Sequence, residues 1–316
     1  MSRDFDLVTG GAGFIGSHLA EGLLEEGRGV IILDNYSSGK KENVRHLSGR
    51  FADRLELVEG DIRNRELCTE LAERCETVFH LAAIPSVQYS VDFPSEVNSV
   101  NVEGTLSVFD SARDAGVRSV VFASSCAIYG DSKNLPLPED EDPRPMSPYA
   151  VSKLADEYYS RVYSEIYDFS STALRFFNVF GPRQDPTSDY AAVIPKFVTR
   201  MLSGRPPIIF GDGEQSRDFI FVKNVVAANL AAAQAGQSGI KVNIGTGERR
   251  TLNQVVEILN RILGTSLEPE YQEARAGDIR DSVAGVSAAR DLIGFEPAIS
   301  FEDGLRRTVE AFRETM

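Results

Sequence analysis

The segment Tyr149-Ala150-Val151-Ser152-Lys153 places a phenol and an ammonium four residues apart. On a helix that spacing puts both side chains on one face. A tyrosine with an unperturbed pKa of roughly 10 is a poor base at neutral pH, and a neighbouring ammonium favours the phenolate. The pair can therefore move protons. A surface helix also carries such residues for solubility alone, so the spacing by itself leaves both readings open. Two hydroxyls stand upstream in Ala123-Ser124-Ser125-Cys126-Ala127-Ile128-Tyr129-Gly130. They follow an apolar run of strand character, which sets them at the C-terminal edge of a parallel sheet, where ligands bind.

A second constellation is Gly10-Gly11-Ala12-Gly13-Phe14-Ile15-Gly16, which follows a strand-like run and leads into the helix-like Ser17 to Leu24. Glycine is needed where backbone turns tightly and approaches a pyrophosphate, which then rests on the free N–H groups and positive end of the helix. A glycine-rich turn without a ligand has the same composition, but Asp34 ends the next strand-like run 18 residues after Gly16. That is near the distance expected for a ribose-binding acid. A carboxylate at this point accepts ribose hydroxyls and repels a 2′-phosphate, so NAD is expected rather than NADP. Lys40 and Lys41 lie close by and read as loop charges.

The elements that must position these groups are visible as short apolar runs: Phe5 to Val8, Val30 to Leu33, Leu55 to Val58, Thr77 to Leu81, Ser119 to Ala123, Thr172 to Phe176 and Lys241 to Ile244. Their apolarity is continuous rather than alternating, as in strands buried on both faces of a parallel sheet with crossover helices. Asn64 before Arg65, Pro148 before the pattern through Tyr167, Thr251 to Leu263 and Phe301 to Phe312 carry helix signals. From Val179 onward the punctuation is irregular, with Gly181-Pro182, Pro206-Pro207 and Gly211-Asp212-Gly213, as in loops that carry a substrate site.

The 316 residues carry 33 Lys plus Arg against 47 Asp plus Glu, a formal charge of −14. Such a surface gains nothing from counterion release on a phosphate backbone, which argues against a nucleic-acid partner. No apolar run approaches a membrane span, and no secretory h-region follows Met1-Ser2-Arg3-Asp4. Cys68, Cys75 and Cys126 lack metal or disulfide spacing, and His18, His46 and His80 lack a mutual ligand spacing. A reducing, cytoplasmic setting and no metal site are expected.

Taken together, Gly10 to Gly16, Asp34-Asn35, Gly60-Asp61-Ile62, His80-Leu81-Ala82-Ala83, Asn101, the serine pair, Tyr149 to Lys153 and Arg175-Phe176-Phe177-Asn178 resemble an extended short-chain dehydrogenase/reductase over almost the whole chain. Gly181 to Pro186, Tyr190 to Pro195, Gly211-Asp212-Gly213 and Arg217-Asp218-Phe219 are similar to the UDP-hexose 4-epimerases within that superfamily. The resemblance implies an α/β fold: a Rossmann-like doubly wound parallel sheet in residues 1–177, completed by a segment returning near 220–246, and a smaller C-terminal α/β substrate domain in 178–316. It implies that Tyr149 is the general base, Ser125 holds the reacting hydroxyl, and Lys153 binds the nicotinamide ribose and lowers the tyrosine pKa, with Ser124 a structural neighbour. Tightly held NAD would contact Gly10, Gly13, Phe14, Ile15, Gly16, Asp34, Asn35, Ser38, Gly39, Asp61, Ile62, Leu81, Ala82, Ala83, Asn101, Tyr149, Lys153 and Phe177. The UDP-sugar would contact Ser86, Ser125, Tyr149, Asn178, Ala192, Val193, Phe210, Arg217, Arg275, Asp278 and Ser282. The implied reaction takes the 4-OH proton and a hydride from the sugar, lets the 4-keto sugar rotate, and returns hydride to its other face, without net redox.

The family's glucose-restricted members carry a bulky tyrosine where this chain has Ser282, so the resemblance implies room for an N-acetyl group and activity on UDP-N-acetylhexosamines as well as UDP-hexoses. Ala192 and Pro85 depart from the family's frequent Asn and Lys. Cys126-Ala127 stands where the related dehydratases carry an Asp-Glu pair, which argues against water elimination. A UDP-glucuronate 4-epimerase, another nucleotide-sugar-modifying relative, and a non-catalytic NAD sensor remain as alternatives. The helical stretches Val97 to Ala115 and Pro148 to Tyr167 match those that pair in the family's homodimers.

Overall fold

The computed structural model describes residues 3–167, 169–187, 192–274 and 279–315. The run Gly-Val-Ile-Ile-Leu-Asp over Gly29–Asp34 is buried at every position, as is Ser-Thr-Ala-Leu-Arg-Phe over Ser171–Phe176. Only a strand covered on both faces buries alternate and intervening side chains alike.

Strands β1 Phe5–Thr9, β2 Gly29–Asp34, β3 Leu55–Glu59, β4 Cys75–His80, β5 Ser119–Ser125 and β6 Ser171–Phe176 alternate with helices α1 Phe14–Glu25, α2 Glu42–Arg50, α3 Arg65–Ala72, α4 Val87–Asp92, α5 Pro94–Asn98, α6 Gly104–Ala115 and α7 Pro148–Tyr167. Beyond them come β7 Asn178–Phe180, α8 Val193–Leu202, β8 Ile208–Phe210, β9 Ser216–Arg217, β10 Phe219–Phe221, α9 Val222–Ala235 and β11 Ile240–Ile244. The chain closes with β12 Arg250–Thr251, α10 Leu252–Leu263, β13 Glu270–Gln272, α11 Ser287–Ile293 and α12 Phe301–Thr315.

Seven strands form one parallel sheet in the order β11-β6-β5-β4-β1-β2-β3. The chain winds outward from β1 to β3, then restarts at β4 and winds the other way. Crossovers therefore leave in opposite directions at the β1/β4 junction, opening a crevice at the strands' carboxyl ends. All seven strand-like runs of the sequence lie in this sheet. β3, at one edge of the sheet, is the most exposed of the seven strands. β11 pairs with β6, and α9 packs on α1.

One apolar core, with Leu19, Leu23, Val225, Ala228 and Ile293, covers one face of the sheet. A second, with Leu71, Val108, Phe109 and Phe122, covers the other. A third joins α8, α10 and α12 through Phe197, Val255, Phe301, Leu305 and Phe312, away from the sheet.

Local chemistry fixes the ends of these elements. Asn64 caps α3 by accepting from the Leu67 N–H at 3.2 Å, and Thr251 and Gln254 form a reciprocal capping box at α10. The helical stretch expected from Val97 begins earlier, at Pro94, and is widened by a π turn at Ser99–Glu103 before α6. Such turns open the i to i−4 ladder and often sit at functional sites. Among the described residues no helix is long and apolar enough to cross a membrane.

Candidate active site

The turn after β1 is built so that backbone, not side chains, faces the crevice. Gly10 has φ +67, and a Cβ there would lie 2.8 Å from the backbone of Ala82 at the end of β4. A Cβ on Gly16 would collide with the Gly10 carbonyl oxygen. Gly13 is the N-cap of α1 and supplies no capping side chain, so the N–H groups of Phe14, Ile15 and Gly16 lack a side-chain cap at the helix's positive end. This cradle fits a pyrophosphate.

Asp34 closes the adenosine side. It is almost fully buried; its Oδ2 accepts from the Ala12 N–H at 2.9 Å and its Oδ1 from the Tyr36 N–H at 2.8 Å. Burial pushes its carboxyl pKa up, and the two N–H groups draw it back. Each carboxylate oxygen keeps a lone pair for a ribose hydroxyl. Gly39 packs directly on this carboxylate, 2.7 Å from where its own Cβ would stand. Asn35 donates to Asp61 at 3.1 Å, and the exposed Ser38 lies in the same loop. Lys40 pairs with Asp185 at 2.7 Å and Lys41 with Glu59 at 2.8 Å, so neither lysine is committed to a 2′-phosphate. Asp61, held at about 2 by Arg63 against the opposing effect of burial, follows β3, and Ile62 is buried against Gly104.

Leu81, Ala82 and Ala83 follow β4 as partly exposed backbone beside the glycine turn, with the Leu81 N–H on the Thr9 carbonyl. Asn101 is fully buried in the π turn, and its amide bonds both backbone groups of Ile84 and the Ser152 hydroxyl. It braces the loop after β4. Phe177 is likewise buried, against Tyr129. Ser86 caps α4 by accepting from the Tyr89 N–H at 3.0 Å.

At the end of β5 the Ser125 hydroxyl accepts from the Ala127 N–H at 3.2 Å and lies beside the phenol of Tyr149 in the first turn of α7. Burial drives that phenol up to about 12; the Ser125 hydroxyl offsets part of the rise, while Cys126 and Asp156 add to it. The Lys153 ammonium, one turn further along α7, is held by Asp156 at 3.2 Å. Ser124 points the other way and donates to Glu157 at 2.5 Å.

Sequence reasoning gave no role to the groups beneath. Arg175, fully buried, forms a two-pronged pair with Glu157 at 2.8 and 2.7 Å, donates to the Tyr129 hydroxyl at 2.7 Å and to the Glu139 carbonyl at 2.9 Å. The signal was a lone charge inside an apolar strand, and a carboxylate one turn past Lys153. His80 bridges Thr9 at 2.7 Å and Thr105 at 2.9 Å, and burial, with Lys153 nearby, holds it at about 3, hence neutral.

On the far side of the crevice, Asn178 opens β7, with its N–H on the Asp218 carbonyl, and Phe210 ends β8. Asp218 is fully buried and gathers the N–H groups of Thr246, Gly247 and Ala284. Arg217 donates to the carbonyls of Ser216 and Arg280. Its charge also reaches Cys126, whose thiol burial pushes up to about 12 while Arg217 and the Ser282 hydroxyl counter. Ser282, Cys126, Ser125 and Tyr149 thus form one contiguous group. Ala192 is the exposed N-cap of α8 and Val193 its first residue. Arg275 and Asp278, with Tyr190, lie outside the described residues. Among the described residues no His/Cys/Asp/Glu cluster could hold a metal ion.

The sequence matches the model of the NAD dependent epimerase/dehydratase family over residues 7–245. It is 41% identical over 309 residues to the UDP-glucose 4-epimerase of Mycolicibacterium smegmatis, covering 97% of this chain and 98% of that protein. Among solved structures, the UDP-glucose 4-epimerase of Thermotoga maritima with UDP-glucose is 42% identical, with a TM-score of 0.93 over 98% of this chain and 99% of that one. The UDP-N-acetylglucosamine 4-epimerase of Methanobrevibacter ruminantium in complex with UDP-N-acetylmuramic acid is 40% identical, with a TM-score of 0.94 over 100% of both chains. The family model spans most of the chain and the crevice has the cradle that NAD requires: the chain belongs to the NAD dependent epimerase/dehydratase family.

Proposed function

We propose that the chain is an isomerase that interconverts UDP-hexoses at C4, using NAD. The observation that carries this is the adjacent Ser125 and Tyr149 at the crevice edge, with Lys153 one turn further along α7. NAD, when bound on the glycine turn, Asp34 and the loop after β4, supplies the exchange of hydride with the sugar. Ser125 orients the 4-hydroxyl, and Tyr149 takes its proton and later returns it. Burial keeps Tyr149 a phenol at neutral pH, which is the form that gives the proton back. Its ionised form, needed first, is favoured by the Ser125 hydroxyl and by any positive charge brought near.

Arg217 and Arg275 are placed by sequence to meet the diphosphate, where planar guanidinium groups suit phosphate oxygens. The small, almost fully buried Ser282 beside Cys126 leaves volume next to the sugar, which supports acceptance of UDP-N-acetylhexosamines together with UDP-glucose and UDP-galactose. Relatedness to both a glucose-type and an N-acetylglucosamine-type 4-epimerase is in keeping with that breadth.

We also propose that the enzyme is a homodimer. Val151, Tyr158, Tyr159, Val162 and Ile166 are exposed on α7, beside Val87 and Val91 on α4. A contiguous apolar surface of this kind marks a protein contact. Light scattering should give twice the chain mass of 34.6 kDa, and Ile166→Glu should halve it.

The function is tested by incubating the purified protein with UDP-galactose, UDP-N-acetylgalactosamine and UDP-glucuronate, each without added NAD, and separating the products. The reading expects the 4-epimers of the first two. Conversion of UDP-glucuronate alone would replace it with the uronate reading.

A further inference from the structure

Asp156 lies three residues after Lys153 in α7 and is fully buried. Its Oδ2 accepts from the Lys153 ammonium at 3.2 Å, and its Oδ1 has no hydrogen-bond partner among the described residues. Buried polar atoms are nearly always satisfied, and a carboxylate left half satisfied under an active site calls for an explanation.

The surroundings do not neutralise it in any other way. From β4, His80 faces the same layer but is neutral and turned to Thr105 and Thr9. From α6, Thr105 stands beside Asp156 and donates to the Asn101 carbonyl. On α7 itself Glu157 is taken up by Arg175 of β6. Around Tyr149 the facing groups are Ser125 and Cys126 after β5, with Asp156 from α7. Among the described residues Lys153 therefore has one ionic partner, Asp156, which lies seven residues past Tyr149 and so on the same face of α7.

We propose that Asp156 is a positioning residue of the acid-base pair: it fixes the Lys153 ammonium, and its negative charge sets how firmly Tyr149 holds its proton. The proposal rests on the epimerase reading. Its chemical sense follows from that reaction, in which the proton taken from the sugar 4-hydroxyl must go back to the same oxygen. A carboxylate that strengthens the phenol's hold keeps the proton on Tyr149 while the keto sugar turns. Burial, countered by Lys153, raises the Asp156 carboxyl to about 6, so the charge can itself be lost just below neutral pH.

The test is the pH dependence of kcat and KM for UDP-galactose conversion by the NAD-bound wild type, Asp156→Asn and Asp156→Glu. Removing the charge should move the pH of half-maximal kcat down by about half a unit or more, because a nearby negative charge disfavours the phenolate. KM should stay within about twofold, as expected for a residue that acts on proton transfer rather than on binding, and Asp156→Glu should restore the wild-type midpoint. Asp156→Ser, which also removes the charge, serves if Asp156→Asn fails to fold with NAD. A charge-free variant that holds NAD and keeps the wild-type midpoint, whatever its rate, overturns the proposal. A wild type without turnover overturns the functional reading on which it stands.

Discussion

The guanidinium of Arg175 on β6 and the carboxylate of Glu157 on α7 meet through two hydrogen bonds, next to the end of β5 that carries Ser124 and Ser125. Ser124 donates to the same carboxylate, and Tyr129, four residues past Ser125, accepts from the same guanidinium. One ion pair thus ties the helix bearing Tyr149 and Lys153 to β6, and the Ser124 hydroxyl on the same carboxylate adds β5, the strand bearing the serines. Breaking a buried pair on one side leaves an uncompensated charge, so Glu157→Gln should lower the unfolding free energy by about 3–5 kcal/mol. Urea unfolding monitored by circular dichroism checks this; an unchanged midpoint would show the pair to be dispensable.

Ser282 lies beside Cys126, and through it adjoins Ser125 and Tyr149. Ser282→Tyr should therefore fill space beside the sugar. Turnover of UDP-N-acetylgalactosamine should fall by about tenfold or more relative to UDP-galactose, the scale on which steric pocket changes discriminate. Equal losses on both substrates would remove Ser282 from specificity.

Asp34→Ala should release NAD. The carboxylate's hydrogen bonds are charge-assisted, each worth about 1.5–3 kcal/mol, so affinity should drop by roughly one to two orders of magnitude. Cofactor per protein after gel filtration reads the loss. Lys41→Ala, which removes the exposed pair with Glu59 and the cation over the Tyr36 ring but leaves the Asp34 carboxylate in place, should retain NAD fully.

The sheet, the glycine turn, Asp34 and the Tyr149 helix were legible because each has a local signature: a continuous apolar run, a strand-to-helix turn, a helical spacing. Lys153 was legible as a neighbour of Tyr149, but its partner was not, since nothing in Lys153-Leu154-Ala155-Asp156 tells which way the ammonium turns inside a packed helix. Asn101 was placed at the site by resemblance, whereas its amide braces the Ile84 backbone, a contact set by a π turn that no spacing announces. The Arg175, Glu157 and Tyr129 network joins three separate segments, so only the fold could assemble it.

Buried histidines give stability a definite pH dependence. Burial lowers His80 from 6.5 to about 3 and His18 from 6.5 to about 4. Below pH 6.5 the unfolded chain binds these protons and the folded chain does not, so the stability that both lend is present above 6.5 and is lost as pH falls. Asp6 and Asp156, raised by burial from 3.8 to about 6, oppose this between those two values, because the folded chain takes their protons first. The difference between His80→Gln and wild type isolates one histidine. From pH 6 to 5 it should shift in favour of the variant by about 1.4 kcal/mol, one proton's worth. Urea midpoints at pH 7, 6 and 5 supply it, and a constant difference would mean that His80 titrates normally.

The central claim is that Tyr149 exchanges the proton of the sugar 4-hydroxyl while NAD remains bound. It is tested most directly by comparing wild type with Tyr149→Phe in the conversion of UDP-galactose to UDP-glucose, with no NAD added and bound NAD quantified in both proteins. The account predicts conversion by wild type and a loss of about 10²–10⁴-fold in the variant, the scale of general acid-base catalysis, at equal NAD content. Undiminished conversion by Tyr149→Phe, or none by an NAD-loaded wild type, would contradict it.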